Sequence, residues 1–312
     1  MNRALVTGAA GFLGSTLAEA LLDSGWEVVG VDAFTDNYPQ ARKRANIARA
    51  LAHPRFRLLE ADLRSAPIEP LLAGTSHVAH LAALPGVRPS WGESFRAYAE
   101  HNIVATQRLL EGLRLHAVEQ AVVASSSSIY GMPSRFPTPE DEPPRPISPY
   151  GVTKLSTEAL LHAYRATFRL PVVALRYFTV YGPRQRPDMG FHGFFEAARR
   201  GTPVTIYGNG EQTRDFTYVD DAVRGTMLAM TRPAPELAYN IGGGHRISLN
   251  DVIARMEQVT GRTIERKQIA PPPGDPRDTS ADVSRARRDL GYEPRTDLTE
   301  GLRRQWEWQR NG

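Results

Sequence analysis

The sequence predicts an α/β fold with a doubly wound parallel sheet, and three observations carry this prediction. A short apolar strand pattern at residues 3–7 runs through a glycine-rich turn into a helical pattern. Strand and helix patterns then alternate as far as residue 177. Small or acidic residues stand where successive predicted strands end: Gly8, Asp32, Asp62, Ala82 and Ser125. Because ligands of such sheets bind at the carboxyl ends of the strands, these residues mark the expected site.

The composition is that of an ordinary globular protein and excludes several kinds of function. The chain has 312 residues, of which 41% are hydrophobic and 23% charged, with a formal net charge of +4. This excess is too small and scattered for a nucleic-acid surface, whereas the many arginines suit an anionic small molecule. The absence of cysteine excludes disulfides, thiol catalysis and cysteine-based metal sites, and no H-x-x-x-H spacing occurs, so no metal is expected.

The sequence also bears on where the protein works. No apolar run approaches the ~18 residues of a membrane span. A strand pattern begins by residue 3, so we expect no signal peptide. We therefore expect a soluble cytoplasmic protein.

The first strand and its turn have the features of a dinucleotide site. Residues 8–14 read GAAGFLG and open a helical pattern, so the glycines permit close approach of a pyrophosphate to the helix N-terminus. A second strand at 26–31 ends at Asp32, 24 positions after Gly8, where a carboxylate accepts a hydrogen bond from a ribose 2′-hydroxyl and repels a 2′-phosphate. The sequence therefore predicts a Rossmann-type site for NAD rather than NADP. The basic run at 42–44 is interpreted as a solvated helix face.

The alternation of strands and helices continues. Further elements are predicted as strands at 56–61, 77–82 and 121–125 and a long helix at 93–116. Asp62 and Leu63 close the first of these strands, where the edge of an adenine would be met. The loop at 82–88 is small and turn-rich, as a loop facing a cofactor needs to be.

The strand at 121–125 leads into four consecutive serines, and a helical pattern opens at Tyr150. Tyr150 and Lys154 are four positions apart and lie on one helix face. A protonated Lys154 would lower the pKa of Tyr150, which could then act as base or acid near neutral pH. A serine at the strand end could share the proton or hold a substrate hydroxyl. Alone, this spacing is weak, because a tyrosine and a lysine on a solvated helix face give the same pattern.

The composition changes after a strand at 171–177. Elements become shorter, and proline, glycine and arginine become more frequent. The elements recognised there are a helix from Val219, a helix at 249–260 and a rigid loop of three prolines at 271–273. We predict that residues 1–179 bind the dinucleotide and carry the catalytic residues. Residues 180–312 are predicted to form a smaller, partly discontinuous α/β domain for the substrate, some segments of which can return to the first domain.

Together these residues resemble the extended short-chain dehydrogenase/reductase family of nucleotide-sugar epimerases and dehydratases. The motifs occur in order over nearly the whole chain: TGAAGFLG (7–14), Asp32, Asp62-Leu63, LAAL (81–84), SSSSIYG (125–131), YGVTK (150–154), RYFTVYGP (176–183), RDFTYVDD (214–221) and GDPRDTSADVSRARRDLGY (274–292). The resemblance implies tightly held, recycled NAD. It assigns the contacts with NAD to Gly8, Gly11, Phe12, Leu13, Gly14, Asp32, Asp62, Leu63, Leu81, Ala82, Ala83, Tyr150, Lys154 and Tyr177.

The resemblance also implies catalytic roles. Tyr150 would take the proton of the sugar 4-hydroxyl while the hydride of C4 passes to the nicotinamide. Lys154 would hold the nicotinamide ribose and the pKa of the tyrosine, and Ser126 would bond the 4-oxygen. Ser127 and Ser128 stand beside it, either at the substrate or satisfying local backbone.

Members of the family differ at these serines. The 4,6-dehydratases carry an Asp-Glu pair where Ser127 and Ser128 stand, and the decarboxylases carry a Glu in the place of Ser128, so the resemblance favours an epimerase. The run at 178–189 is similar to that of UDP-glucuronate 4-epimerases, which would place Thr179 and Arg186 at the uronate carboxylate.

Three more arginines are expected around the substrate. Arg214 and Arg277 match positions that meet the nucleotide diphosphate in the family. Many epimerases have a basic residue where Pro272 stands, and Arg277 would take over its work. Arg88 could bind the carboxylate, the diphosphate or a loop carbonyl, and the sequence does not choose among them.

Several alternatives stay open. Within enzymes these are a UDP-hexose 4-epimerase and another dehydratase or decarboxylase of the same family. A different class is a non-catalytic NAD-binding scaffold, which would have no chemical need for the serine, tyrosine and lysine together. The family further implies a homodimer that pairs the helices at 93–116 and 150–168, although their apolar stripes would also suit packing on the sheet.

Overall fold

The computed structural model describes residues 2–270 and 274–311, and its centre is a seven-stranded parallel sheet. The strands are β1 (Arg3–Thr7), β2 (Glu27–Asp32), β3 (Phe56–Glu60), β4 (His77–His80), β5 (Gln120–Ser126), β6 (Val172–Tyr177), β7 (Thr179–Tyr181), β8 (Val204–Tyr207), β9 (Thr213–Arg214), β10 (Phe216–Tyr218), β11 (Ala238–Ile241), β12 (Ile247–Ser248) and β13 (Arg266–Ile269). The main sheet has the order β11-β6-β5-β4-β1-β2-β3, with every neighbouring pair parallel. The predicted doubly wound α/β fold is confirmed.

Helices connect and cover the strands. They are α1 (Phe12–Asp23), α2 (Gln40–Leu51), α3 (Glu69–Leu72), α4 (Phe95–Ala99), α5 (Ala105–Leu115), α6 (Pro149–Phe168), α7 (Gly190–Arg200), α8 (Val219–Thr231), α9 (Leu249–Thr260), α10 (Ser284–Leu290) and α11 (Leu298–Asn311). The helix predicted at 93–116 consists of α4 and α5 joined by a π-helical turn, Glu100–Val104. That turn shifts the register of the helix, which hydrophobic periodicity does not reveal.

The side chains of β1 divide between two apolar layers. Ala4 and Val6 belong to a large core cluster that includes residues of α1 and α8. Leu5 points the other way, into a smaller cluster with residues of α5 and α6. Both faces of the sheet are therefore covered, as a parallel sheet requires.

The order of the strands reverses at the centre of the sheet. The chain runs from β1 outward through β2 to β3, then returns to place β4 on the opposite side of β1. Outside the carboxyl ends of β1 and β4 this reversal opens a crevice, which is the usual ligand site of such folds. The predicted strand ends meet at this edge.

The second half of the chain adds short paired strands beside the sheet. β7 pairs with β10, β8 with β13, and β9 with β12, while β11 forms an edge of the main sheet. The predicted domain boundary at 179/180 falls inside β7, and the division into two domains stays a prediction. The predicted proline loop at 271–273 and Pro272 lie outside the described residues. Within residues 2–270 and 274–311, none of the helices combines the length and apolarity needed to cross a membrane.

Candidate active site

A cleft follows the carboxyl ends of the central strands and collects nearly all the predicted site residues. Every residue predicted to contact NAD lines it, from Gly8 through Tyr177. The other predicted residues that line it are Ser126, Ser127, Ser128, Arg88, Thr179 and Arg186. Arg214 and Arg277 line a second cavity, which adjoins the first because Arg88 and Thr179 border both.

The turn after β1 keeps its backbone free of side chains. Gly8 has φ +70°, a left-handed conformation that favours glycine, and its amide donates to the carbonyl oxygen of Val31 at 2.7 Å. A Cβ on Gly8 would lie 2.9 Å from the amide nitrogen of Ala82, and one on Gly14 would overlap the carbonyl oxygen of Gly8. The N-cap of α1 is Gly11, so no side chain occupies the first amides of the helix. The turn therefore fits a pyrophosphate, which needs bare N–H groups and the positive end of a helix.

Asp32 closes β2 and is fixed by two backbone amides. Its Oδ1 accepts from the amide of Phe34 at 2.8 Å and its Oδ2 from that of Ala10 at 3.0 Å. The side chain is buried but borders the cleft. Each carboxylate oxygen can accept a further hydrogen bond, so Asp32 fits the hydroxyls of a ribose.

The interpretation of residues 42–44 as a solvated face is wrong for Lys43. Its side chain is buried, and its Nζ donates to the carbonyl oxygen of Thr35 at 2.6 Å, to Thr35 Oγ1 at 3.1 Å and to Asn37 Oδ1 at 2.8 Å. These bonds fix the loop after β2, which borders the cleft. Lys43 lies on the same face of α2 as the buried Ile47 and Ala50, and this spacing indicates burial. The sequence interpretation did not use it, because lysine is rarely buried.

The predicted catalytic residues come from α6 and the end of β5. Lys154 is buried, its Nζ donates to the carbonyl oxygen of Ala124 at 2.9 Å, and it lies 6.0 Å from the centre of the Tyr150 ring. Ser126 Oγ accepts a hydrogen bond from the amide of Ser128 at 3.1 Å. The strand and the helix thus bring the serine, tyrosine and lysine to one part of the cleft.

Burial controls the protonation of these groups. It raises the pKa of Tyr150 above the ordinary 10.0, against the hydroxyl of Ser126 and the guanidinium of Arg186, which lower it. Burial also lowers the pKa of Lys154 to about 8, with the Glu158 carboxylate acting in the opposite direction. The net pKa of Tyr150 is thus raised and not lowered as the sequence predicts, because desolvation of the phenolate outweighs Ser126 and Arg186.

A buried ion pair that the sequence did not predict lies next to the predicted catalytic residues. Arg176 on β6 contacts Glu158 on α6, with Nη2 to Oε2 at 2.7 Å and Nε to Oε1 at 2.9 Å. Glu158 Oε1 also accepts from Ser125 Oγ at 2.5 Å. The pair joins β5, β6 and α6, so it fixes the strand end that carries Ser126 against the helix that carries Lys154. Glu158 follows Lys154 by one helical turn, which was the available signal.

Arg186 lies within electrostatic reach of Tyr150 but is engaged by a carboxylate of the protein. Its Nε donates to Asp188 Oδ1 at 3.0 Å and its Nη2 to Asp188 Oδ2 at 2.9 Å. The side chain of Arg186 is 16% exposed and that of Asp188 is 50% exposed. Both border the cleft, together with Thr179.

Arg88 has a partner that the sequence interpretation did not include. Its Nη2 donates to Asp275 Oδ2 at 2.9 Å, and its guanidinium stacks 3.9 Å from the centre of the Tyr207 ring. Asp275 follows Arg88 by 187 positions, so no local pattern shows the contact.

The other two arginines lie at the second cavity. Arg214 Nη1 donates to the carbonyl oxygens of Thr213 at 2.9 Å and of Arg277 at 2.7 Å. The side chain of Arg277 is mostly exposed. Both cations thus border a cavity next to the catalytic cleft, with donors left over for an anion.

Comparison with known proteins agrees with this arrangement. A model of the NAD dependent epimerase/dehydratase family matches residues 4–242. An uncharacterised UDP-glucose epimerase of Bacillus subtilis is 45% identical, over 96% of this chain and 95% of its own. A UDP-glucuronate 4-epimerase of Thermodesulfobacterium geofontis is 38% identical, over 99% of this chain and 96% of its own.

A solved structure is similar along the whole chain. The crystal structure of UDP-glucuronic acid 4-epimerase from Bacillus cereus, in complex with UDP-glucuronic acid and NAD, is 43% identical with a TM-score of 0.95 and 99% of both chains covered. The family match, the relatives and the shared fold lead to one conclusion: this chain belongs to the NAD dependent epimerase/dehydratase family.

Proposed function

We propose that the protein is an isomerase that inverts C4 of a UDP-sugar with the help of NAD, interconverting UDP-glucuronate and UDP-galacturonate. The observation that carries this proposal is the convergence of Ser126, Tyr150 and Arg186 on the cleft that also contains the glycine turn. Relatives that match almost the whole chain are named as UDP-glucuronate 4-epimerase and UDP-glucose epimerase.

The residues around the turn fit NAD. The bare amides at residues 8–14 would hold the pyrophosphate, Asp32 the adenosine ribose, and Asp62 with Leu63 the adenine edge. Leu81, Ala82 and Ala83, beyond β4, would border the rest of the cofactor up to Lys154 and Tyr177, with Lys154 at the nicotinamide ribose. When bound, NAD accepts the hydride from C4 and later returns it.

Tyr150 would move the proton of the 4-hydroxyl. In the absence of substrate, Ser126 and Arg186 favour the phenolate that burial disfavours. With the sugar bound, the single hydroxyl proton of Ser126 would be donated to the 4-oxygen instead. The resulting 4-keto sugar rotates and presents its other face, and Tyr150 then returns the proton. Ser127 and Ser128 offer hydroxyls and no carboxylate, so they cannot supply the acid–base pair that elimination of water needs.

The rest of the substrate would be held by cations. Arg214 and Arg277 flank the second cavity and suit the diphosphate, while Arg88 stands between the two cavities. Arg186 with Thr179 would hold the carboxylate on C5, since a guanidinium fork matches a carboxylate with two parallel hydrogen bonds.

A UDP-hexose 4-epimerase is the second candidate, and one contact favours it. Asp188 already holds the fork of Arg186 with both oxygens, which leaves that cation with less to offer a substrate carboxylate. A relative 45% identical to this chain is named as a UDP-glucose epimerase. The two candidates differ in whether a carboxylate is recognised.

Turnover of the two sugars decides between them. We expect the purified protein to convert UDP-glucuronate to its C4 epimer faster than UDP-glucose, as measured by chromatography of the products. Denatured protein should release NAD without any having been added. Conversion of UDP-glucose alone would establish the hexose epimerase, and released NADP would contradict the role of Asp32. Binding of NAD without turnover of either sugar would favour a scaffold.

We also propose that two copies pair through α4–α5 and α6. Large apolar side chains on these helices are exposed, among them Val104 at 45%, Leu115 at 64% and Val152 at 43%. Helices that only cover a sheet would turn such residues inward. The cytoplasmic location stays a prediction.

Light scattering during gel filtration tests the pairing. At micromolar concentration the mass should be twice the 34.5 kDa of one chain. Val152→Arg with Val104→Arg should halve that mass, because it places charge in an apolar interface. The control is Ile269→Arg on β13, where Ile269 is 40% exposed and away from these helices. A wild-type monomer, or an equal effect of the control, would contradict the proposal.

A further inference from the structure

We propose that Asp188 sets the preference between charged and neutral sugars, because its carboxylate occupies the guanidinium fork of Arg186 and competes there with the carboxylate of a uronate. This inference rests on the proposed function, in which Arg186 binds the uronate. Asp188 would then be an internal competitor whose displacement is part of substrate binding.

The geometry of the pair supports competition. The two hydrogen bonds to Asp188 use the Nε and Nη2 donors of Arg186, which form one edge of the planar guanidinium. A substrate carboxylate needs two parallel donors of the same kind for its strongest binding. A uronate carboxylate can therefore accept both hydrogen bonds from Arg186 only after Asp188 has released the Nε and Nη2 donors.

The loop favours the internal pair while leaving it easy to open. Asp188 follows Arg186 by two positions with Pro187 between them, and the amide of Met189 bonds to the carbonyl oxygen of Arg186 at 3.1 Å. The pairing is thus local and closes a tight turn. Half of the Asp188 side chain is exposed, so the released carboxylate can be hydrated, whereas Arg186 is mostly buried.

The position of Asp188 also matches that of the sugar. Asp188 and Thr179 border both cavities, the one with Tyr150 and the one with Arg214. A sugar whose C4 lies at Tyr150 and whose diphosphate lies at Arg214 has to cross this junction. The charges of Arg186 and Asp188 act with opposite sign on the pKa values of the neighbouring Tyr38 and Tyr98, so the two charges oppose each other there.

Removing the charge of Asp188 tests the inference. For Asp188→Asn we expect the ratio of KM for UDP-glucuronate to KM for UDP-glucose to fall about 1.5-fold to fivefold, as expected for an ion pair of this exposure. Asp188→Glu, which keeps a carboxylate, should stay near the wild-type ratio. The matched control is Asp23→Asn: Asp23 also binds an arginine, Arg49, with both oxygens, at 2.8 and 3.1 Å, but borders neither cavity.

A double-mutant cycle isolates the pair. In an Arg186→Ala background, Asp188→Asn should change the ratio of KM values by a different factor than in the wild type, because only the direct charge of Asp188 then acts on the substrate; an equal factor in both backgrounds would overturn the inference. An unchanged ratio in the single Asp188→Asn variant would overturn the inference. A raised ratio would overturn it too, since it would mean that Asp188 positions Arg186 for the substrate.

Failure of the proposed function gives a different result. If the wild-type protein does not epimerise UDP-glucuronate, the proposed function fails. Dissociation constants of UDP-glucuronate and UDP-glucose for wild type and Asp188→Asn, measured by calorimetry, still decide the role of Asp188. Equal melting temperatures would show that the variants are folded.

Discussion

Replacing Tyr150 by phenylalanine should lower the turnover number for the UDP-sugar by about 10²- to 10⁴-fold, the usual contribution of a positioned acid–base group. The change removes one hydroxyl and keeps the ring, which packs edge-on against Tyr98 with centroids 6.3 Å apart. The dissociation constant of the UDP-sugar should therefore change little. Rapid-quench measurement of turnover and calorimetric measurement of binding separate the two quantities.

The control for this variant lies on the same helix. Tyr164→Phe also removes a phenolic hydroxyl from α6, but Tyr164 bonds to Gln107 and Glu111 and does not border the cleft. Its turnover should remain close to that of the wild type. Near-normal turnover of Tyr150→Phe would remove Tyr150 from the mechanism.

Replacing Arg186 by alanine should raise KM for UDP-glucuronate about 10- to 100-fold, since hydrogen bonds to charged groups contribute about 1.5–3 kcal/mol. The purity of the epimerised product should also fall in this variant. Oxidation at C4 of a uronate gives a β-keto acid, which loses CO₂ when the bond to its carboxylate stands perpendicular to the carbonyl plane. A guanidinium fork holds the carboxylate in one orientation, so its removal should let some of the 4-keto acid lose CO₂ and leave the site as a UDP-4-keto-pentose, with the cofactor still reduced.

The loop around Arg186 supplies a matched control. Arg184 lies two positions away, pairs with Glu19 at 2.9 Å and does not border the cleft, so Arg184→Ala should preserve KM and product purity. In Arg186→Ala, KM for UDP-glucose, which has no carboxylate, should rise less than KM for UDP-glucuronate. If uronate KM and purity stay unchanged in that variant, Arg186 has no role at the carboxylate and the hexose epimerase regains support.

Features that depend on neighbouring residues could be predicted from the sequence. The helix predicted at 249–260 has the observed bounds, and adjacent residues set both ends: Ser248 caps its start and Gly261 ends it in a left-handed conformation. The glycine turn and Asp32 were likewise recognised from local spacing, and the structure places both at the cleft.

Features that depend on tertiary packing were missed. Lys43 is buried only because the loop after β2 folds over it, and Arg88 meets Asp275 only because the chain returns after 187 positions. Arg186 and Asp188 are near neighbours in the sequence, yet their spacing does not indicate that the carboxylate turns back onto the fork. The pKa of Tyr150 was predicted with the wrong sign because desolvation was not visible in a helix pattern.

The buried Lys154 has a consequence for how the stability of the fold depends on pH. Its pKa is about 8 in the folded protein, against an ordinary value of 10.5. Between these values the unfolded chain binds more protons than the folded one, so the free energy of unfolding rises as pH increases through this window. Below pH 8 the ammonium is charged in both states, and keeping it out of water costs the folded state roughly 3 kcal/mol. At neutral pH the folded state is therefore less stable than it would be with an apolar side chain of the same length at this position of the proposed catalytic centre.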